Sequence, residues 1–252
     1  MRLDGCRRTG ILMRHNATLL LKEPGPLASR LVMPLVAIAV FAPLDRAALG
    51  TRGGPSQAVT GMLVLFSMLG LSVVGTSLLS ERMWHTWERL RTTPARPAEL
   101  LAGKAVPVAL VLVVQQAAVI GFGAAVEGFH VANVELLVLA LAGWCAALLA
   151  MGSALAALVR SQAEFSAAQD IGGFVATSLG GALVPLAEMP AWARHVCPAS
   201  PGYWAMAALR GAVAGQTGTV LRADGVLVVL AAAAAMVGVS RVRRAPSRSS
   251  RM

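Results

Sequence analysis

The stretch ERMWHTWERLRTTPARPAELLAGK, residues 81–104, is the longest charged segment between two long apolar runs, and the rest of the chain is placed relative to it. A segment with this many charges cannot lie in the hydrocarbon of a bilayer. Read as a helix from Glu81 to Arg91, it has aromatic and aliphatic side chains on one side and charged ones on the other. This pattern predicts an amphipathic helix in a membrane interface, with its charged face in water. Pro94 ends that helix, and Pro97 begins the next.

The same stretch resembles the cytoplasmic loop of ABC-2 type transporter permeases, the membrane subunits of ATP-driven exporters. The sequence pattern of the family is close to E-R-x-x-G-T-x-E-R-L-R-T-T-P, followed by an acidic residue, a leucine pair and a lysine. The matching residues are Glu81, Arg82, Thr86, Glu88, Arg89, Leu90, Arg91, Thr92, Thr93, Pro94, Glu99, Leu100, Leu101 and Lys104. His85 stands where the family usually has glycine. The resemblance implies that this loop transmits the closure of an ATPase to the membrane spans, through Glu81, Arg82, Trp84, Trp87, Glu88 and Arg89.

Composition indicates a polytopic membrane protein, because 56% of the 252 residues are hydrophobic and only 13% are charged. The net charge of +10 does not predict a nucleic-acid partner, since the basic residues lie between apolar runs and form no continuous face. Cys6, Cys145 and Cys197 lie in three separate regions, so they predict neither a disulfide framework nor a metal site.

The apolar runs predict one all-helical membrane domain, residues 1–252, with six spans. The predicted spans are residues 27–44, 58–80, 105–126, 136–159, 171–187 and 225–240. The connecting segments are a cytoplasmic interfacial helix within residues 1–26, a turn-rich outer loop at 45–57, the coupling loop at 81–104, an outer loop at 127–135, a cytoplasmic loop at 160–170, an outer segment at 188–224 and a cytoplasmic tail at 241–252.

The basic residues predict the orientation of this domain. With six spans, 17 of the 22 Lys and Arg residues fall on one side of the membrane, which is then the cytoplasmic side and holds both termini. The apolar piece at 203–214 is interrupted by Arg210 and is too short to cross about 30 Å of hydrocarbon. It is therefore predicted to be re-entrant or to lie on the surface.

This region also resembles the family between its last two spans. The matching residues are Pro190, Trp192, Pro201, Tyr203, Ala208, Leu209 and Arg210. Ser200 replaces the usual asparagine.

The sequence lacks the motif that binds ATP. No G-x-x-x-x-G-K-[ST] occurs in it, so we expect ATP and Mg²⁺ to be bound by a separate ATPase, with no cofactor and no catalytic residue in this chain. A secondary carrier would need an acid at the middle of the membrane, and a membrane-embedded enzyme would need clustered His, Asp or Glu at depth. Neither pattern is seen in the predicted spans.

Two spans are predicted to form the substrate pathway of an exporter of amphiphiles. Met62, Phe66 and Met68 of span two offer an adaptable, uncharged surface. Phe174 and Thr177 lie three residues apart on span five and would complete it. A drug, an antibiotic or another amphiphile is the favoured cargo; a lipid-linked glycan is the nearest alternative, and a secondary carrier is the alternative of another class.

Paired glycines in span five suit close helix packing. They are Gly172, Gly173, Gly180 and Gly181. Such glycines let a second helix approach closely in lipid, so they predict a contact with a second permease copy, or else a contact within the bundle of one protomer. The expected partners are thus an ATPase subunit, a second permease copy, membrane lipid and a small amphiphilic substrate.

Overall fold

The computed structural model describes residues 24–71 and 97–244, together with Gly10, Met13, Arg14, residues 16–18 and Lys22. For Pro24, Pro26 and residues 97–104 and 242–244 it describes the backbone alone. The described part of the chain is helical and contains no strand, as the sequence predicts.

The first helix, α1 (Pro24–Leu69), is a hairpin of two helical arms. Gly50, with φ 78° and ψ 179°, is its non-helical residue, and this backbone favours glycine. The arms run antiparallel, because Arg30 Nη1 donates to Gly70 O at 3.2 Å and a Cβ on Gly54 would lie 2.5 Å from Arg46 Cα. The reversal predicted between spans one and two is confirmed, but the long loop predicted at 45–57 is wrong. The polypeptide stays helical on both sides of one glycine.

The next two helices are α2 (Pro97–Val126) and α3 (Val134–Leu158). Asn133 caps α3, since its side chain accepts a hydrogen bond from Leu136 N at 3.0 Å. Among the described residues, four helical segments are long and apolar enough to cross a membrane: Leu27–Leu69, Ala105–Val126, Val134–Leu158 and Thr217–Arg241. The first has 43 residues, about 65 Å if straight, which is twice the thickness of the hydrocarbon and is accommodated by the hairpin.

Helix α4 (Gln162–Leu179) differs from the predicted span five, which was 171–187. It begins nine residues earlier because Ser161 is a good N-cap: its hydroxyl accepts from Glu164 N at 3.1 Å, and Glu164 Oε2 accepts from Arg160 N at 2.7 Å. The predicted cytoplasmic loop at 160–170 is therefore mostly helix. The predicted end at 187 is also wrong, because Gly181 adopts φ +85° and turns the chain.

After this turn, the short helix α5 (Ala191–Val196) leads into α6 (Pro201–Val213) and then α7 (Thr217–Arg244). Helix α6 packs among α1, α3, α4 and α7, and most of its residues are buried, so it does not lie exposed on a surface. Helix α7 begins eight residues before the predicted span six. Residues 217–224, assigned by the sequence to an outer segment, belong to this helix, because Val220, Ala223 and Leu227 repeat at helical spacing and are buried.

The turns of the bundle gather at two ends. At one end, Arg46 of α1 pairs with Glu127 across 2.7 Å, and Ala132 N donates to Val213 O at 3.1 Å. The Gly50 turn, residues 127–133 and residues 214–216 thus lie together at what we call the glycine-turn end. At the other end, Gln169 of α4 donates to Leu69 O at 2.8 Å, near the contact of Arg30 with Gly70.

Candidate functional site

The predicted coupling residues lie in the segment between the two described ranges. Glu81, Arg82, Trp84, Trp87, Glu88 and Arg89 are outside the described residues. Their role in coupling therefore stays a prediction.

The predicted pathway residues divide between the core and the surface. Met62 is 4% exposed, Met68 is 5% exposed and Thr177 is fully buried, and Met68 lies opposite Gly173 of α4. The Thr177 hydroxyl donates within its own helix, to Gly173 O at 2.8 Å. Phe66 is partly buried against the core, and Phe174 is 54% exposed. Of these five residues, only the two phenylalanines reach a surface that a second molecule could touch.

The four paired glycines lie in different surroundings. Gly172 is open, since nothing described lies within 4 Å of an added Cβ. Gly173 faces Met68 of the same chain at 3.4 Å. A Cβ on Gly180 would lie 2.5 Å from the backbone of Gly202, and Gly181 forms the turn after α4. Gly173, Gly180 and Gly181 are thus used inside the protomer, and the predicted dimer contact now depends on Gly172.

A buried polar cluster holds α6 to the rest of the bundle. We call it the Arg210 cluster, and it consists of Gln57, Gly181, Ala182 and Arg210. Arg210 Nη2 donates to Gln57 Oε1 at 2.6 Å and to Gly181 O at 3.0 Å. Gln57 Nε2 donates to Gly181 O at 3.0 Å and to Ala182 O at 3.2 Å. These bonds satisfy the carbonyls that the turn at Gly181 frees from helical pairing, which would otherwise be costly to bury.

The N-terminus of α6 is fixed to α4 through Ser200. Its hydroxyl accepts from Gly202 N at 3.1 Å and donates to Ala176 O. A Cβ on Gly202 would lie 2.5 Å from that same Ala176 carbonyl oxygen, so only glycine allows this approach. Ser200, where the family usually has asparagine, is a competent N-cap ahead of Pro201. The cap and the Arg210 cluster fix both ends of the inserted helix.

Asp224 is an acid that the sequence analysis missed. It is 6% exposed, and neither carboxylate oxygen has a hydrogen-bond partner among the described residues. It faces α3, where a Cβ on Gly143 would lie 2.5 Å from Asp224 Oδ1. Asp224 is about 10 Å along α7 from Thr217. The sequence analysis placed Asp224 outside the membrane because the predicted span six, residues 225–240, begins one residue after it.

An open cleft of about 440 Å³ lies between α6 and α7. Its lining residues are Tyr203, Trp204, Ala207, Gly218, Thr219, Arg222 and Ala223. The two aromatic rings meet edge to face, with centroids 5.2 Å apart, and Trp204 Nε1 donates to Pro198 O at 2.8 Å. The cleft therefore has a fixed aromatic wall and an exposed cation at Arg222.

These features define a class of protein: a multi-pass helical membrane protein with a short helix inserted into its bundle. Residues 7–213 match the model of the ABC-2 type transporter family, and the chain belongs to that family. The match covers residues 81–104 and the described bundle as far as the end of α6. Members of this family are the membrane components of a transporter. No curated protein matches the chain.

Proposed function

We propose that this chain is the permease of an ABC exporter that moves a drug, an antibiotic or another amphiphile across the cytoplasmic membrane. The observation that carries the proposal is the family match over residues 7–213. The core that includes Met62 and Met68 of α1 has few charged side chains, and such a surface suits an apolar cargo. A lipid-linked glycan remains the alternative cargo within the family.

The pathway is proposed to lie between two copies of the chain. One reason is that the centre of the described bundle is filled: Trp144, Met206 and Leu209 are each at most 1% exposed. A cargo would have to displace this close-packed interior to pass through one protomer. Phe174 and the open Gly172 lie on the outer face of α4, where a second copy would bury them. Replacing Phe174 or Phe66 by alanine should change the ranking of exported compounds, with Val228→Ala on exposed α7 as a matched control.

Six crossings with both termini in the cytoplasm are also proposed. The α1 hairpin supplies two crossings and the other three long apolar helices supply one each. Helix α4 supplies the sixth: it runs antiparallel to the second arm of α1, with Gln169 beside Leu69 and Gly181 beside Gln57. Its 18 residues span about 27 Å, close to the thickness of the hydrocarbon. The glycine-turn end is then the outer end.

ATP hydrolysis is assigned to a separate subunit that binds ATP and Mg²⁺, and the loop at 81–104 is proposed to dock on it. The test is charge reversal, Glu81→Lys combined with Glu88→Lys, in full-length protein purified from its native membrane. We expect the variant to insert normally but to lose the co-purified ATPase, because complementary charges fix such contacts. Glu164→Lys is the control, since Glu164 is an exposed acid in the first turn of α4, on the same proposed face of the membrane. Wild-type recovery of the ATPase by the double variant would contradict docking through these acids.

A secondary carrier is kept as a second candidate because of Asp224. Acids buried in membrane helices are functional sites in such carriers, and Asp224 is a buried acid in the first third of the apolar segment Thr217–Arg241. The two candidates differ in their energy source, which can be measured directly: nucleotide for the exporter and a proton gradient for the carrier.

A further inference from the structure

The cleft between α6 and α7 is built from both polar and apolar groups. Ala207 and Ala223 form a shallow apolar floor, while Tyr203, Thr219 and Arg222 add polar groups at its sides. A cleft that accepted only an apolar chain would not need an arginine in its lining. The lining is therefore that of a site for an amphiphile, with a polar head and an apolar chain.

The charge of the cleft favours an anionic head. Arg222 is exposed and makes no ion pair with another described residue. The nearest acid along α7 is Asp224, which faces Gly143 of α3 and is directed away from the cleft. Thr219 is already held by Gln216, at 3.1 Å between their side-chain oxygens. Arg222 is thus the uncompensated charge of the cleft, and a phosphate group is the anion that a guanidinium pairs with best.

The depth of the cleft matches a lipid headgroup. Arg222 lies about 7 to 8 Å along α7 from Thr217, at the glycine-turn end of the bundle. Trp and Tyr are enriched at this level of a bilayer, because one part of each ring system is apolar and the other is polar. Trp204 and Tyr203 hold each other in the edge-to-face pair, so this wall is preformed. A bound lipid would meet it without reordering the side chains.

We infer that the cleft of Tyr203, Trp204, Thr219 and Arg222 binds the headgroup of an anionic phospholipid of the surrounding leaflet. Basic pockets between membrane helices commonly hold such headgroups. The acyl chains lie along the exposed apolar face of α7, which includes Val228 and Val229. The lipid acts as a resident ligand that fills the gap between the inserted helix α6 and the last span. This site is separate from the proposed cargo pathway at Phe66 and Phe174.

The test is native mass spectrometry of the full chain, released from detergent after incubation with equal amounts of phosphatidylglycerol and phosphatidylcholine. The wild type should retain one phosphatidylglycerol more tightly than further lipids. Arg222→Gln should weaken that retention about fivefold, the effect of one arginine near a lipid surface. Arg222→Lys should keep most of it, because lysine supplies the same charge.

Two further variants separate the cleft from general charge effects. Arg52→Gln removes another exposed arginine at the same end of the bundle, outside the cleft, and should leave retention unchanged. Ala207→Leu fills the cleft without altering charge and should weaken retention of the tightly held lipid. Because Arg222 is exposed, Arg222→Gln should unfold at the wild-type temperature. Equal retention by Arg222→Gln and the wild type, or an equal loss with Arg52→Gln, would overturn the inference. Retention of phosphatidylcholine as tight as that of phosphatidylglycerol would overturn the choice of an anionic lipid.

Discussion

Removing the guanidinium of Arg210 should destabilise the bundle more than any other single arginine change among the described residues. In Arg210→Met the side chain keeps much of its length but loses both hydrogen bonds from Nη2, to Gln57 at 2.6 Å and to Gly181 at 3.0 Å. Hydrogen bonds to a charged group contribute roughly 1.5 to 3 kcal/mol each. Pairs inside membrane bundles measure lower, because the unfolded chain in the membrane finds other partners.

Taking the low end for two bonds gives a loss of about 3 kcal/mol in the free energy of unfolding. At about 2 to 4 °C per kcal/mol for a chain of this size, the unfolding temperature should fall by about 6 to 12 °C. The assay is thermal unfolding of purified protein in one detergent, followed by the fluorescence of a thiol-reactive dye at the buried Cys145 and Cys197. Arg52→Met, at an exposed position outside both the Arg210 cluster and the cleft, is the matched control and should shift the temperature by less than about 2 °C.

A double-mutant cycle tests whether the loss comes from this cluster. Gln57→Leu alone removes the acceptor of Arg210 and both bonds from Gln57 Nε2. If the two residues act together, the double variant should lose less than the sum of the single variants, by about 1 kcal/mol. An unfolding temperature of Arg210→Met equal to that of the wild type would show that these two hydrogen bonds do not stabilise the bundle. Strict additivity in the cycle would show that the two side chains act independently.

Three other changes follow from the same structure. Asp224→Asn should raise the unfolding temperature by a few degrees, because burying a charged carboxylate without a partner costs more free energy than burying a neutral amide. An unfolding temperature below that of the wild type would mean that a group outside the described residues stabilises the carboxylate. Gly202→Ala should unfold the protein at a clearly lower temperature, since its Cβ would meet the Ala176 carbonyl oxygen at 2.5 Å, whereas Gly218→Ala, in open space, should be neutral. In a background without native cysteines, cysteines introduced at Gly53 and Gly218 should react with a thiol reagent added outside intact cells, and a cysteine at Ala95 should not. Labelling of the cysteine at Ala95 would reverse the proposed orientation.

Hydrophobic patterning predicted the helices but not their ends. The reversal between spans one and two was predictable from Gly50, Gly53 and Gly54, because clustered glycines mark turns. The start of α4 was missed, although Ser161 and Glu164 have the spacing of a capping box and could have been recognised. The predicted span began instead where charge ended, at Ile171. Charged residues mark the end of the hydrocarbon region, but a helix such as α4 can continue well beyond that region.

The Arg210 cluster could not have been predicted from sequence. Gln57 and Arg210 are 153 residues apart, and nothing in the local pattern of either indicates the other. Composition did predict that α6 is too short to cross the bilayer, but its burial among four other helices depends on small residues, above all Gly202 against Ala176. Asp224 was missed because its local sequence suggested a different position. An acid near the end of an apolar run looks like a boundary residue, and only packing against Gly143 reveals that it is buried.

Transport at the expense of ATP hydrolysed by a partner subunit can be measured directly as the uptake of a fluorescent amphiphile into inside-out vesicles that contain the chain and its co-purified ATPase. We predict uptake that requires ATP and Mg²⁺, survives collapse of the proton gradient and is lost in the Glu81→Lys, Glu88→Lys variant. Uptake that is driven by a proton gradient without nucleotide and abolished by Asp224→Asn would rule out ATP-driven export and identify a secondary carrier.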